Sequence, residues 1–115
     1  GNTDAHRDWG YAPDYVEAMW LMLQQDKPQD FVIGTGKRYS VQNFVETAFR
    51  LAGLDEKDHV KIDTRFMRPA EVDTLCADST LAREKLGWQP KVNFHELVGK
   101  MVNHDIALAC KEALE

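Results

Sequence analysis

Residues 13–25 carry apolar side chains nearly all the way round a helix, and no other stretch of this chain restricts its fold more. Pro13 suits the first helical turn, where its missing N–H costs nothing, and Asp14 and Glu17 complement the positive end of the helix dipole. Tyr15, Val16, Ala18, Met19, Trp20, Leu21, Met22 and Leu23 then leave almost no polar face. Such a helix is expected to be covered on most sides rather than to lie on a surface. A polar turn from Asp26 to Asp30 follows, and then the run Phe31-Val32-Ile33, ended by Gly34-Thr35-Gly36. A short apolar run without alternation reads as a parallel strand buried on both faces, over residues 30–34. Few other segments here can flank that strand, so its partner strands are expected outside this sequence.

The remaining punctuation predicts helices with few strands. Ser40 is a good N-cap for a helix over 41–52, whose Val41, Phe44, Val45, Ala48 and Ala52 share one face, and Gly53 stops it. Val60-Lys61-Ile62-Asp63 alternates and predicts a short half-exposed strand. Asp78 is expected to cap a short helix ending at Leu86, with Gly87 as a left-handed stop. Asn93 with Glu96 resembles a capping box for a helix over 94–112, buried along Phe94, Leu97, Val98, Met101, Val102, Ile106 and Ala109.

At 115 residues this is one domain or a piece of one. A net charge of −5 argues against general binding to nucleic acid or an acidic membrane, since both need a positive field. No apolar run approaches the ~20 residues of a membrane span. Cys76 and Cys110 have no metal-ligand spacing, and free thiols in a reducing cytoplasm fit them better than a disulfide. No signal peptide is visible.

Two arginine-centred motifs carry the chemistry: Arg7-Asp8-Trp9-Gly10-Tyr11 and Arg68-Pro69-Ala70-Glu71-Val72-Asp73. Guanidinium is planar, permanently charged and forked, so a pair of them suits a diphosphate. Pro69 biases Arg68 toward an extended conformation, which aims its side chain away from the local backbone. Glu71 offers a carboxylate to a ligand hydroxyl or amino group. The bland alternative is that Arg68 and Glu71 pair with each other, or with Asp73, on the surface. Other sites fail on spacing. Gly34-Thr35-Gly36-Lys37 lacks the earlier glycine and the following hydroxyl of a phosphate loop, with Phe at 31 and Arg at 38. It also lacks the third glycine of a dinucleotide fingerprint. The four histidines (His6, His59, His95, His104) never fall at i, i+4 or beside a cysteine, so no metal site is expected.

Resemblance sharpens this reading. Arg7-Asp8-Trp9-Gly10-Tyr11-Ala12, continued through Asp14-Tyr15-Val16-Glu17-Ala18-Met19-Trp20-Leu21-Met22-Leu23-Gln24, resembles the C-terminal half of the GDP-mannose 4,6-dehydratases. Arg68-Pro69-Ala70-Glu71-Val72-Asp73 and the Leu86-Gly87-Trp88, Pro90-Lys91-Val92 and Glu96-Leu97-Val98 groups are similar as well. The resemblance runs the length of the chain. The last motif is shared by many extended short-chain dehydrogenases, whereas the first two together are specific. It implies an α/β fold: the helix-rich C-terminal part of a Rossmann-type nucleotide-sugar dehydratase, with a few short strands. Residues 1–115 would be its substrate-binding portion, with strand 30–34 belonging to the sheet of an absent Rossmann domain. Arg7 and Arg68 would hold the diphosphate of GDP-mannose and Glu71 the nucleoside, at the ribose. NADP and the catalytic Tyr-x-x-x-Lys pair would belong to the absent half, so that this chain alone would be inactive. None of Tyr11, Tyr15 and Tyr39 has a lysine four residues on. A cytoplasmic homo-oligomer acting in GDP-fucose biosynthesis is the accompanying expectation. The alternatives are a portion of another nucleotide-sugar epimerase, dehydratase or reductase, or a stand-alone nucleotide-sugar-binding module. Departures from the family pattern fall at Thr3, His6, Lys37-Arg38-Tyr39 and Gln42-Asn43, the last pair removing an acidic capping-box residue after Ser40.

Overall fold

The computed structural model describes all 115 residues as four helices hung on a very small sheet. In chain order these are β1 (His6–Arg7), α1 (Ala12–Leu23), β2 (Tyr39–Ser40), α2 (Val41–Leu51), α3 (Thr80–Leu86) and α4 (Phe94–Ala113), with single 3-10 turns at Glu56–Asp58 and Thr64–Phe66. β1 pairs antiparallel with β2, His6 opposite Ser40 and Arg7 opposite Tyr39. On its other side β1 takes a parallel bridge to Thr74, closed by His6 N–H donating to the Asp73 carbonyl at 2.8 Å and Leu75 N–H to the His6 carbonyl at 3.0 Å. β1 is therefore central, and the segment around 73–75 is a third strand in all but length.

Local chemistry accounts for the helix ends. Ser40 accepts from Asn43 N–H at 2.9 Å, and the Asn43 carboxamide oxygen accepts from Ser40 N–H at 3.0 Å. The capping box is complete, with a carboxamide in place of the expected acid. Asn93 caps α4 through Glu96 N–H. Gly87, at φ 63°, ends α3 in the left-handed conformation that a side chain would resist. Asp78 sits one residue before the N-cap Ser79, and its carboxylate binds the amide and hydroxyl of Thr80.

Burial is sparse: 13 of 115 residues are buried. One cluster joins Ala18 of α1 to Ala82 and Leu86 of α3 and to Trp88, with Tyr15, Leu21, Met22, Phe31 and Ile33 packed against it. A second gathers Phe94, Leu97 and Val98 of α4 with Phe44 and Tyr39; the Tyr39 and Phe94 rings stack at 3.9 Å. The radius of gyration is 17.4 Å, against about 13 Å for a compact chain of this length.

Three expectations about burial and pairing change. Helix 13–25 becomes α1, but only Asp14 and Ala18 are buried on it, while Val16, Met19, Trp20 and Leu23 lie more than half exposed. On α4 the buried stripe stops at Val98, and Met101, Ile106 and Ala109 are exposed; Val102, Ile106 and Ala109 line an open groove against Ala48, Phe49, Ala52 and Leu54 instead of closing on them. Neither segment read as a strand from its pattern is one here. Residues 60–63 form no ladder, and from Asp26 to Lys37 no backbone group bonds another backbone group, so Phe31-Val32-Ile33 has no strand beside it. A strand exists only by virtue of a neighbour about 4.8 Å away, and this chain provides none. No helix is long and apolar enough to cross a membrane.

Candidate functional site

The central position of β1 places Arg7 against the segment that carries the second motif. Arg7 Nη1 donates to the His6 carbonyl at 2.7 Å and to the Val72 carbonyl at 2.8 Å. Its Nη2 donates to Glu71 Oε1 at 2.7 Å, and both side chains are mostly shielded from solvent. Three of the five guanidinium N–H groups are thus committed and two remain for a ligand. Glu71 keeps its second oxygen uncommitted.

Arg68 stands three residues upstream of Glu71, exposed and without an ion pair or hydrogen bond. Its neighbour Arg65 is already satisfied by Asp63 at 2.6 Å, whereas Arg68 is uncommitted. The bland alternative fails, because Glu71 pairs with Arg7 and with neither Arg68 nor Asp73. Of the residues expected from sequence, Arg7 and Glu71 are joined, and Arg68 lies on the same strip of chain.

Two carboxylates that sequence reasoning assigned no such role build the frame. Asp8 Oδ1 accepts from Thr35 N–H at 3.0 Å and from the Thr35 hydroxyl at 2.6 Å. Its Oδ2 accepts from Gly36 N–H at 2.9 Å and Ala77 N–H at 3.1 Å. Asp14, read as a dipole partner, is buried, and its Oδ2 accepts from the amides of Lys91 and Val92, both at 3.1 Å. Its carbonyl takes the Trp88 indole N–H at 2.8 Å. Burial, then the charges of Asp8 and Asp14, push the Tyr15 phenol above its ordinary value. The only signal in the sequence was an aspartate beside a turn, which does not say which distant amides it will bind.

The largest cavity, about 400 Å³, is lined by Trp9, Lys37, Tyr39, Arg83 and Phe94 among others, and by none of Arg7, Arg68 and Glu71. The paired arginine and carboxylate lie instead on a strip outside that cavity. The Gly34-Thr35-Gly36 turn does not fit a dinucleotide, because the Thr35 and Gly36 amides that would meet a phosphate are taken by Asp8. Cys76 and Cys110 are free and exposed, and no three His, Cys, Asp or Glu side chains gather as a metal site.

A family model for GDP-mannose 4,6 dehydratase matches residues 1–101. The chain belongs to that family. A GDP-mannose 4,6 dehydratase of Arabidopsis thaliana is 54% identical over 112 residues, covering 97% of this chain and 31% of the relative. That of Homo sapiens is 49% identical over 125 residues, covering 94% and 34%. The chain therefore spans about a third of the length of the relatives it matches. Among solved structures, UDP-glucose 4-epimerase of Thermotoga maritima with UDP-glucose superimposes on all of this chain and on 34% of its own, with a TM-score of 0.78 and 29% identity. A dTDP-glucose 4,6-dehydratase of Bacillus anthracis in complex with NAD covers 90% of this chain, with a TM-score of 0.77 and 19% identity, a likeness of fold alone. The fold is thus the helix-rich part of a Rossmann-type nucleotide-sugar enzyme.

Proposed function

We propose that this chain is the substrate-holding portion of a GDP-mannose 4,6-dehydratase, a lyase that converts GDP-mannose to GDP-4-keto-6-deoxymannose. The observation that carries the reading is the Arg7–Glu71 pair, with uncommitted Arg68 on the same strip, in a chain of this family. Arg68 and the two free donors of Arg7 bind the diphosphate, with the forked geometry that an ammonium lacks. The free oxygen of Glu71 accepts from a ribose hydroxyl. NADP supplies the hydride chemistry when bound, and the rest of the enzyme holds it, since the glycine turn here is occupied by Asp8. The chain alone holds substrate without turning it over, so incubation with GDP-mannose and NADP leaves starting material.

Phe31-Val32-Ile33 supplies a strand to the sheet of that larger part, and the exposed face of α1 packs beside it. This accounts for the unpaired backbone and for the four exposed apolar side chains. The complete protein is a cytoplasmic homo-oligomer serving GDP-fucose formation.

The test is calorimetric titration of the complete enzyme with GDP. Arg68→Ala weakens binding by about 2–5 kcal/mol, and Arg68→Lys recovers only part of that. Unchanged affinity in the alanine variant reduces Arg68 to a surface charge and overturns the reading. Preference for UDP over GDP in the same titration redirects it to a different nucleotide-sugar enzyme.

A further inference from the structure

Building on the anion-site reading above, we propose that Asp8 is a positioning residue for that site. Its carboxylate latches the strip that begins at Glu71, three residues after Arg68, onto β1 and so holds Glu71 in register with Arg7.

The strip from Glu71 to Ala77 has almost no core of its own, as its residues 72–76 are all exposed. Hydrogen bonds alone hold it. Arg7 grips its start through Glu71 and the Val72 carbonyl. The two ladder bonds to His6 hold its middle, and Arg38 reaches Thr74 Oγ1 at 3.1 Å. Asp8 holds its end through Ala77 N–H, and the oxygen that does so also holds Gly36 N–H. Arg7 and Asp8 are consecutive, so two adjacent side chains seize the two ends of one strip. A carboxylate has about four acceptor positions, and all four hydrogen bonds to Asp8 come from neutral donors of the protein. No cation pairs with it, so its charge is spent on fixing three chain segments relative to one another. The join is also tight. A Cβ on Gly34 would come within 2.2 Å of the Ala77 Cβ and 3.0 Å of Asp8 Oδ2, so this turn tolerates only glycine.

Replacing one carboxylate oxygen by an amide NH2 leaves either Thr35 N–H or the Gly36 and Ala77 N–H groups facing a donor, and takes the charge from every bond that remains. The end of the strip then frays, and Glu71 must be ordered by the ligand itself. Ground-state binding suffers, and the chemistry performed elsewhere does not.

The experiment uses the complete enzyme, with GDP titration, steady-state kinetics and amide hydrogen exchange. Asp8→Asn weakens GDP binding about tenfold or more, as loss of bonds to a charged acceptor does. It raises KM for GDP-mannose by the same factor and leaves kcat within about threefold. The Leu75 and Ala77 amides exchange faster while those of Leu97 and Val98 keep their protection. Gly34→Ala, which displaces Ala77 and crowds Asp8 while keeping the carboxylate, reproduces the KM effect. Thr35→Val removes only a hydroxyl and stays within about threefold of the parent. Arg68→Ala serves as the reference. If it loses affinity and Asp8→Asn does not, the latch is wrong and the site stands. If Arg68→Ala is itself unchanged, the site reading fails, and the exchange of Leu75 and Ala77 alone decides the latch. Loss of protection at Leu97 and Val98 in Asp8→Asn, or an equal loss of affinity in Thr35→Val, makes Asp8 a general structural residue and overturns the proposal.

Discussion

α1 and α2 are nearly the same length, 12 and 11 residues, yet one is finished within this chain and the other is not. α2 has apolar residues on one face, polar residues on the other and a complete capping box. It packs on α4 and leaves Asn43 and Arg50 in water. α1 has no side-chain cap bond, and it seals one face on Trp88 and α3. Its opposite face presents Val16, Met19, Trp20 and Leu23 at i, i+3, i+4 and i+7. That spacing is the same device that buries α2, but aimed outward. The lesson is that an apolar stripe marks a face fit for burial without saying what covers it.

The largest effect separates a finished surface from an unfinished one. Phe94→Ala removes a ring 5% exposed and stacked on Tyr39, and lowers stability by about 3–5 kcal/mol in urea titration. Trp20→Ala, at a residue 60% exposed, shifts it by about 0.5 kcal/mol or less in the isolated chain. Equal costs would break the comparison. Next comes association. The isolated chain carries an unpaired backbone run and an apolar helix face, and both promote self-assembly. Sedimentation velocity at micromolar concentration should show oligomers that Trp20→Glu with Leu23→Glu converts toward monomer. A parent chain that is already monomeric and binds no hydrophobic dye would mean that α1 needs no cover.

Two smaller effects sharpen the contrast. Ser40→Ala breaks the box that starts α2 and costs about 1 kcal/mol by thermal unfolding. The smallest is a pH effect at α3. The Thr80 hydroxyl, then the Thr80 amide, hold the Asp78 carboxyl below its ordinary 3.8. A depressed carboxylate stabilises the fold above its unfolded value and loses that contribution as pH falls through its folded one. The melting-temperature gap between parent and Asp78→Asn should therefore stay constant from neutral pH down to about 5 and close below 3.8. A gap that persists at pH 2 would assign it to geometry rather than to charge.

What could be read in advance follows from the range of each interaction. Ser40, Asn93 and Gly87 act on amides and carbonyls within a turn of themselves, so the helix boundaries were legible to within two residues. Arg7 and Glu71 were legible as candidates, because each stands in a motif with few other charged side chains of its type. Their mutual pairing was not, since Arg68 stood closer in sequence to Glu71. Val60-Lys61-Ile62-Asp63 alternates like a strand, but alternation describes two faces and supplies no neighbour. Asp8 and Asp14 were the hardest, because their partners lie 27 to 78 residues away. Nothing in their flanks points there.

The Arg7–Glu71 bond closes a loop of 64 residues, and the Asp8–Ala77 bond one of 69. Closing a long loop costs entropy before any contact repays it, whereas α2 and α4 need only neighbouring residues. The strip that carries Glu71 is consequently among the last parts to settle during folding and the first to loosen on warming. Ligand affinity should fade at temperatures where helical circular dichroism is still intact, and bound nucleotide should delay that early step.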